Sequence, residues 1–310
     1  MKKKKIWFPR FVSMTLMLML TLPGFALATT VPLDTQFAQL PITPLGIHAT
    51  AVGLDNLTPL LADPPKSDTG KSLLTVNKMG FDVLNNTKTQ QSWIILDILD
   101  FLKTAKSPVL DVGCGYGQIT LIALAAGNTV IANDLATEHL LHLRKSALEA
   151  KLPIDSLYLS KVAFPDLAIP DNTLSAVVLH RILHFLPPAQ VELGLANVKK
   201  WLAPGGKVFI VVMAPQHKEF SSWFLPLYDQ KWANGDKWPG AGLPVAKALP
   251  DQAYNLPSSL HVMDERPLRY ALEKQGFVIE KIAYVDMKQF GKDSTTRDGH
   301  EAIGVIAVKQ

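Results

Sequence analysis

The chain has 310 residues and a single cysteine, Cys114, so no intrachain disulfide can form and the fold must rest on its core alone. Internal repeats and low-complexity runs are absent as well, which excludes a solenoid or a fibre. A basic body is also lacking, despite the formal net charge of +4: Lys2, Lys3, Lys4, Lys5 and Arg10 carry five of the 31 basic residues, and no acid accompanies them. Setting residues 1–28 aside leaves a formal charge of −1, so nothing argues for a nucleic-acid surface. What the chain does have is apolar residues, 48% of the total, enough to bury one large core and to exclude disorder for the bulk of it.

The first residues have their own logic. A basic stretch is followed by an apolar run from Phe11 to Leu22, a Pro23-Gly24 break, and Ala26-Leu27-Ala28 ahead of Thr29. That order predicts a secretory signal peptide cleaved after Ala28. The alternative is an uncleaved anchor, because residues 6–28 are just long enough to span a bilayer. In either case the lysines precede the apolar run, so the rest of the chain is expected on the far side of the membrane, exported or secreted. Membrane contact is expected only through this leader.

Residues 29–65 carry prolines at 32, 41, 44, 59, 64 and 65 and no periodicity, and read either as a linker or as an extended arm packed on a domain surface. Beyond them, helix-like and strand-like segments alternate. QSWIILDILDFLK (residues 91–103) has apolar residues at helical spacing; VLDV (109–112), TVIAN (129–133), SAVVL (175–179) and KVFIVV (207–212) are apolar strands. Helices are expected over 119–126, 138–151, 189–202 and 266–275, and strands over 278–285 and 301–309 close enough to pair antiparallel. Together these predict an α/β, doubly wound, Rossmann-like domain over residues 66–310, with a mostly parallel sheet of about seven strands and an antiparallel C-terminal strand.

The chemistry concentrates in VLDVGCGYGQ (109–118). In doubly wound folds a ligand lies at the carboxyl ends of the strands, and a strand running into Gly113, Gly115 and Gly117 offers bare backbone there. A dinucleotide fingerprint, G-x-G-x-x-G/A, would need its third glycine at position 118, which is Gln118. The spacing is G-x-G-x-G instead, with Asp111 two places ahead and Asp134 at the end of the next strand.

This arrangement resembles the first two motifs of the class I S-adenosylmethionine-dependent methyltransferases. The resemblance extends to IPDNTLSAVVLHRILHFLPP and LAPGGKVFIVV and covers about residues 90–310. It implies S-adenosyl-L-methionine as cofactor, the turn Gly113, Cys114, Gly115, Tyr116, Gly117 passing under its methionine part, and Asp111 positioning its amino end. Asp134, with Leu135 beside it, is implied as the acceptor of both ribose hydroxyls, a task suited to a carboxylate because it only accepts hydrogen bonds. The acid that often holds the adenine amino group is absent at Ser160, Lys161 and Val162, which leaves adenine to backbone groups and apolar contact. Cys114 is the common occupant of such a turn and reads as packing rather than as a nucleophile.

The implied reaction is methyl transfer to a small molecule or a protein. A nicotinamide oxidoreductase and a binding protein that kept the fold without activity stand as alternatives. The catalytic group is not identified. His180 and His184, four residues apart and so on one helix face if a helix runs through them, are the candidates for a general base, and with no third ligand at a sensible spacing no metal site is expected. Residues 214–262 form an insertion with Trp223, Phe224, Tyr228, Trp232 and Trp238; these rings either enclose a substrate or pack the insertion onto the sheet.

Overall fold

A computed structural model describes residues 31–51, 53–67, 73–82, 84, 92–286 and 298–310. By internal contacts the chain divides into Met1–Pro32 and Leu33–Gln310. The leader and its cleavage site lie outside the described residues.

Within Leu33–Gln310, nine strands among the described residues form the main sheet, in the order Ile42–Thr43, Gly46–His48, Leu157–Ser160, Val130–Asn133, Val109–Val112, Leu174–His180, Leu202–Met213, Ala302–Lys309, Phe277–Val285. The five from Leu157–Ser160 to Leu202–Met213 are parallel, and the C-terminal pair joins them antiparallel, as expected. Two strands exceed the seven anticipated, and both come from the proline-rich segment before residue 66. Strands of two and three residues are too short to show a period of two, so no pattern betrays them.

The parallel strands are buried on both faces, which is why they read as unbroken apolar runs rather than alternating ones. Val109 belongs to one core cluster and Leu110 to the other; Ala176 and Val178 face the first, Val177 and Leu179 the second. Helices Trp93–Leu102, Gln118–Ala125 and Thr137–Glu149 cover the first face, and Pro188–Trp201 and Glu265–Lys274 the second. Ile94, Ile95, Ile98 and Leu102 show how a 3.6-residue repeat becomes one buried stripe, each side chain contributing about 2 kcal/mol of apolar burial. The segment that read as linker or arm is packed: Phe37, Ile47, Ala49, Leu54 and Leu57 enter the first cluster. Arg144 fastens it, donating from Nε to the Ala49 carbonyl at 2.6 Å and pairing with Asp55 at 2.8 Å.

Val109–Val112 pairs with Val130–Asn133 on one side and Leu174–His180 on the other, so the connections run outward in both directions from it. A crevice opens at such a switch point, beyond the carboxyl ends of these strands.

Candidate functional site

The crevice holds a cavity of about 870 Å³. Asp111, Gly113, Cys114, Gly115, Asp134 and Leu135 line it, and Tyr116 and Gly117 do not. The three turn glycines therefore do different work. A Cβ on Gly115 would meet nothing within 4 Å, so its backbone is open; one on Gly113 would lie 2.0 Å from Ile182 Cδ1. At Gly117, which caps helix Gln118–Ala125 with φ 86°, a Cβ would stand 2.2 Å from Leu143 Cδ1. Gly117 is thus required by a left-handed turn and by close helix packing, rather than by the approach of a ligand.

Asp111 ends its strand almost fully buried and accepts a hydrogen bond from the Thr120 hydroxyl at 2.7 Å. Burial raises its carboxyl to about 7 against the opposing pull of Thr120, with the charges of Asp134 and Asp82 adding to the rise. Asp134 is more heavily engaged than the sequence suggested. Its Oδ2 accepts the Gly115 N–H at 2.9 Å, and its Oδ1 accepts both the Ala136 N–H and the His139 Nδ1–H, each at 2.9 Å. A carboxylate offers about four acceptor positions, so as placed Asp134 has room for one further donor, not for two. Cys114 is also accounted for: burial, then the charges of Asp134, Asp111 and Asp82, push its thiol well above the ordinary range, the opposite of an activated nucleophile.

The two histidines do not share a helix face. His180 is the last residue of its strand, Arg181 turns the backbone with φ 64°, and His184 sits in the single 3₁₀ turn Leu183–Phe185. Both line the cavity. Burial, reinforced by Arg181, pushes His180 down to about 3 and His184 well below the imidazole range, so each is a neutral ring. Nδ1 of His184 is buried without a hydrogen-bond partner. Among the described residues no group of three metal-ligating side chains occurs.

Sequence reasoning missed most of the cavity's far wall. A hairpin, Leu73–Leu74 paired with Phe81–Asp82, brings Met79, Phe81 and Asp82 to it. The insertion contributes Lys247, Gln252, Tyr254 and Leu256, whereas Trp223, Phe224, Tyr228, Trp232 and Trp238 do not line it. Phe224 and Tyr228 instead build a third apolar cluster with Phe220 and Leu243, Trp223 packs against that cluster, and Trp238 packs against the second. Packing is thus what most of the insertion's aromatics do, and only Tyr254, absent from the sequence-based set, faces the cavity. No periodic pattern marks these positions; a proline-rich, aromatic insertion after a strand was the sole signal. Beyond Ser160, Lys161 and Val162, the cavity wall is formed by Ala163, Phe164, Pro165 and Asp166, apolar surface with one carboxylate.

Comparison with known proteins agrees with this geometry. The model of a methyltransferase domain matches residues 109–206, from the first strand of the turn motif to the glycines before Lys207. Residues 109–206, about a third of the chain, thus carry a match to a methyltransferase domain. Among curated relatives, an S-adenosyl-L-methionine-dependent Diels-Alderase of Talaromyces variabilis is 32% identical over 109 residues, covering 34% of this chain and 36% of that protein. A probable methyltransferase of Aspergillus luteorubrus is 31% identical over 105 residues, covering 32% of this chain and 37% of that protein. The chain spans little more than a third of the length of those relatives. Among solved structures, an S-adenosylmethionine-dependent methyltransferase from Methanosarcina mazei matches with a TM-score of 0.50 at 17% identity, over 66% of this chain and 92% of that one. The geranyl diphosphate C-methyltransferase of Streptomyces coelicolor A3(2) matches with a TM-score of 0.50 at 13% identity, over 69% of this chain and 79% of that one. At such identities the structures establish the fold.

Proposed function

We propose that the protein methylates a small, largely apolar molecule with S-adenosylmethionine as methyl donor. The observation that carries this reading is that one cavity is lined both by Asp111, Gly113, Gly115 and Asp134 and by Met79, Phe81, Phe185, Met213, Tyr254 and Leu256, which we assign to the acceptor. The residues present suit the cofactor. Bare backbone at Gly115 admits close approach, Asp111 suits an ammonium, Asp134 can accept from a ribose hydroxyl, and Phe164 with Leu135 offers apolar contact to a base. When bound, the cofactor supplies a methyl group on a sulfonium, whose carbon–sulfur bond breaks, with its electron pair returning to sulfur, as an acceptor atom attacks in line.

The chain's own contribution is placement, and a well-aligned attack can supply much of the barrier reduction. A good general base has a pKa near the working pH, and His180 and His184 do not. With both histidines held neutral, the reading favours an acceptor atom that arrives ready to attack, as in a thiolate, an acidic phenol or enol, or a carboxylate. The unpartnered Nδ1 of His184 then serves as a hydrogen-bonding group for a neutral polar function on the acceptor.

Calorimetric titration with S-adenosylmethionine and separately with NAD, followed by detection of S-adenosylhomocysteine with a panel of apolar thiols and acidic phenols, tests this. Binding of the first ligand alone and turnover on the panel are expected. Binding of NAD, or of neither ligand, would sink it; binding without turnover on any acceptor would leave the non-catalytic reading in its place. Export is a further part of the reading, supported by the order of charges, apolar run and small-x-small residues in the leader. The expected mass in the culture medium is that of the chain starting at Thr29, and finding only the uncleaved form inside cells refutes it.

A further inference from the structure

His139 lines the cavity and touches both Asp134 and the hairpin that walls it, and the mechanism above does not use it. It is fully buried on helix Thr137–Glu149 and lines the cavity. One ring nitrogen, Nδ1, is 2.9 Å from Asp134 Oδ1, and the other, Nε2, accepts the backbone N–H of Val76 at 3.1 Å. The network fixes the tautomer: an acceptor at Nε2 leaves the proton on Nδ1, where it is donated to the carboxylate.

Val76 lies in the turn of the hairpin between Leu74 and Phe81. That hairpin is docked from both sides. On the cofactor side the Tyr116 hydroxyl donates to the Leu74 carbonyl at 2.9 Å, and the Tyr116 ring packs edge-on against His139 at 4.8 Å. On the acceptor side the Gly80 N–H donates to the Asn255 carbonyl at 2.8 Å, Asn255 Nδ2 donates to the Gly80 carbonyl, and Phe81 meets Tyr254 edge to face. The hairpin thus links the cofactor turn to the wall of the acceptor compartment, and it delivers Asp82, whose charge acts on Asp111, Cys114 and Tyr116.

We propose that His139 is a positioning residue that couples the cofactor carboxylate Asp134 to the hairpin over the acceptor compartment, so that occupancy of one half orders the other. The coupling rests on the cofactor reading above; the two hydrogen bonds do not. An imidazole makes both bonds at once, whereas an amide makes one. Asparagine places its amide nitrogen near the Nδ1 position and cannot reach Val76; glutamine reaches the Nε2 position with its carbonyl oxygen.

The test compares the full chain with His139→Asn and His139→Gln, by amide hydrogen exchange at Val76 and by calorimetric titration with S-adenosylmethionine. His139→Asn is expected to keep cofactor affinity within about threefold while Val76 exchanges roughly tenfold faster and the acceptor KM rises. His139→Gln is expected to show the reverse, a protected Val76 with affinity lowered about tenfold. In the unmodified protein, saturating cofactor slows Val76 exchange. Equal effects of both variants on both readouts would reduce His139 to packing and overturn the proposal, as would an unmodified Val76 amide insensitive to cofactor. Should the unmodified protein bind no S-adenosylmethionine, the functional reading and the coupling fail together, while apo exchange at Val76 in His139→Asn against His139→Gln still decides whether the hydrogen bond exists.

Discussion

The two halves of the cavity are built in opposite ways. The cofactor half comes mainly from one contiguous stretch, Asp111 to His139, within thirty residues, in which Asp111 and Asp134 find their hydrogen-bond partners locally. The acceptor half is assembled from pieces far apart in sequence: the hairpin, the 3₁₀ turn after His180, the end of the Leu202–Met213 strand and the turn Pro250–Asn255. A site made locally can be held by hydrogen bonds that form with the secondary structure itself. A site made from distant segments depends on packing and is free to vary with the substrate.

The largest effect should come from the half held by local hydrogen bonds. Asp134→Ala strips a carboxylate from the Gly115 and Ala136 N–H groups and from His139, three partners at 2.9 Å. Hydrogen bonds to a charged group are worth about 2 kcal/mol each. Losing the one acceptor position open to the cofactor and the hold on the Gly115 N–H, about 4 kcal/mol together, is expected to lower cofactor affinity in calorimetry by about a thousandfold. A loss below tenfold would mean that the turn is not held by this carboxylate. Gly117→Ala comes next: a side chain at φ 86° and 2.2 Å from Leu143 should cost about 3 kcal/mol in denaturant unfolding. Gly115→Ala, with open space around its Cβ, should cost less stability than Gly117→Ala and more cofactor affinity. That pair breaks the comparison within a single turn if the order is reversed.

Legibility in the sequence follows the same divide. Val109–Val112 and its neighbours were readable because a buried parallel strand is a short apolar run with a turn at its end. Asp111, Gly113, Cys114, Gly115, Asp134 and Leu135, implied by the resemblance to the family's first two motifs, line the cavity. Tyr116 and Gly117, which the same resemblance implies as part of the turn, do not line the cavity and serve docking and packing. The helix expected through His180 and His184 was an error of extrapolation, since nothing in the local sequence announces the backbone reversal at Arg181. Leu157–Ser160 escaped notice because LYLS is brief and its only neighbours with a pattern are across the sheet. His139 and Asp82 were invisible: what makes them important is a contact to a segment 63 residues away in one case and a field on the distant Asp111 carboxyl in the other.

A smaller effect sharpens the cofactor half. With its carboxyl raised to about 7 from an ordinary 3.8, Asp111 favours the folded state most when protonated. Its contribution to stability is complete below the unfolded value and is lost as pH rises from about 4 through about 7. An ammonium group at the site needs the ionised form, so cofactor binding near neutrality should release a proton, and affinity should rise from pH 6 to 8; calorimetry in buffers of different ionisation heat measures both. Thr120→Val removes the hydrogen bond that opposes the rise. It should weaken binding at pH 7 by about tenfold, roughly one unit of further shift, and the deficit should shrink at higher pH. A deficit equal at every pH would show that Thr120 acts through packing and not through the carboxyl.

The smallest effect tests the acceptor half against the intuition that tryptophans in an insertion cover a substrate. Trp232 sits beside Lys237 and Arg266, with their cations 5.1 and 5.5 Å from its ring, and does not line the cavity. Tyr254 does, and its ring meets Phe81 at 6.2 Å. Once an acceptor is in hand, Trp232→Leu should leave its KM within about twofold and lower thermal stability slightly, by no more than about 1 kcal/mol of lost cation–π attraction. Tyr254→Leu, which removes a ring from the compartment wall and from its contact with the hairpin, should raise KM several-fold with kcat less affected. If the two variants behaved alike, the hairpin and the Pro250–Asn255 turn would not be the parts that hold the acceptor, and the compartment would have to be redrawn around the insertion's own aromatic core.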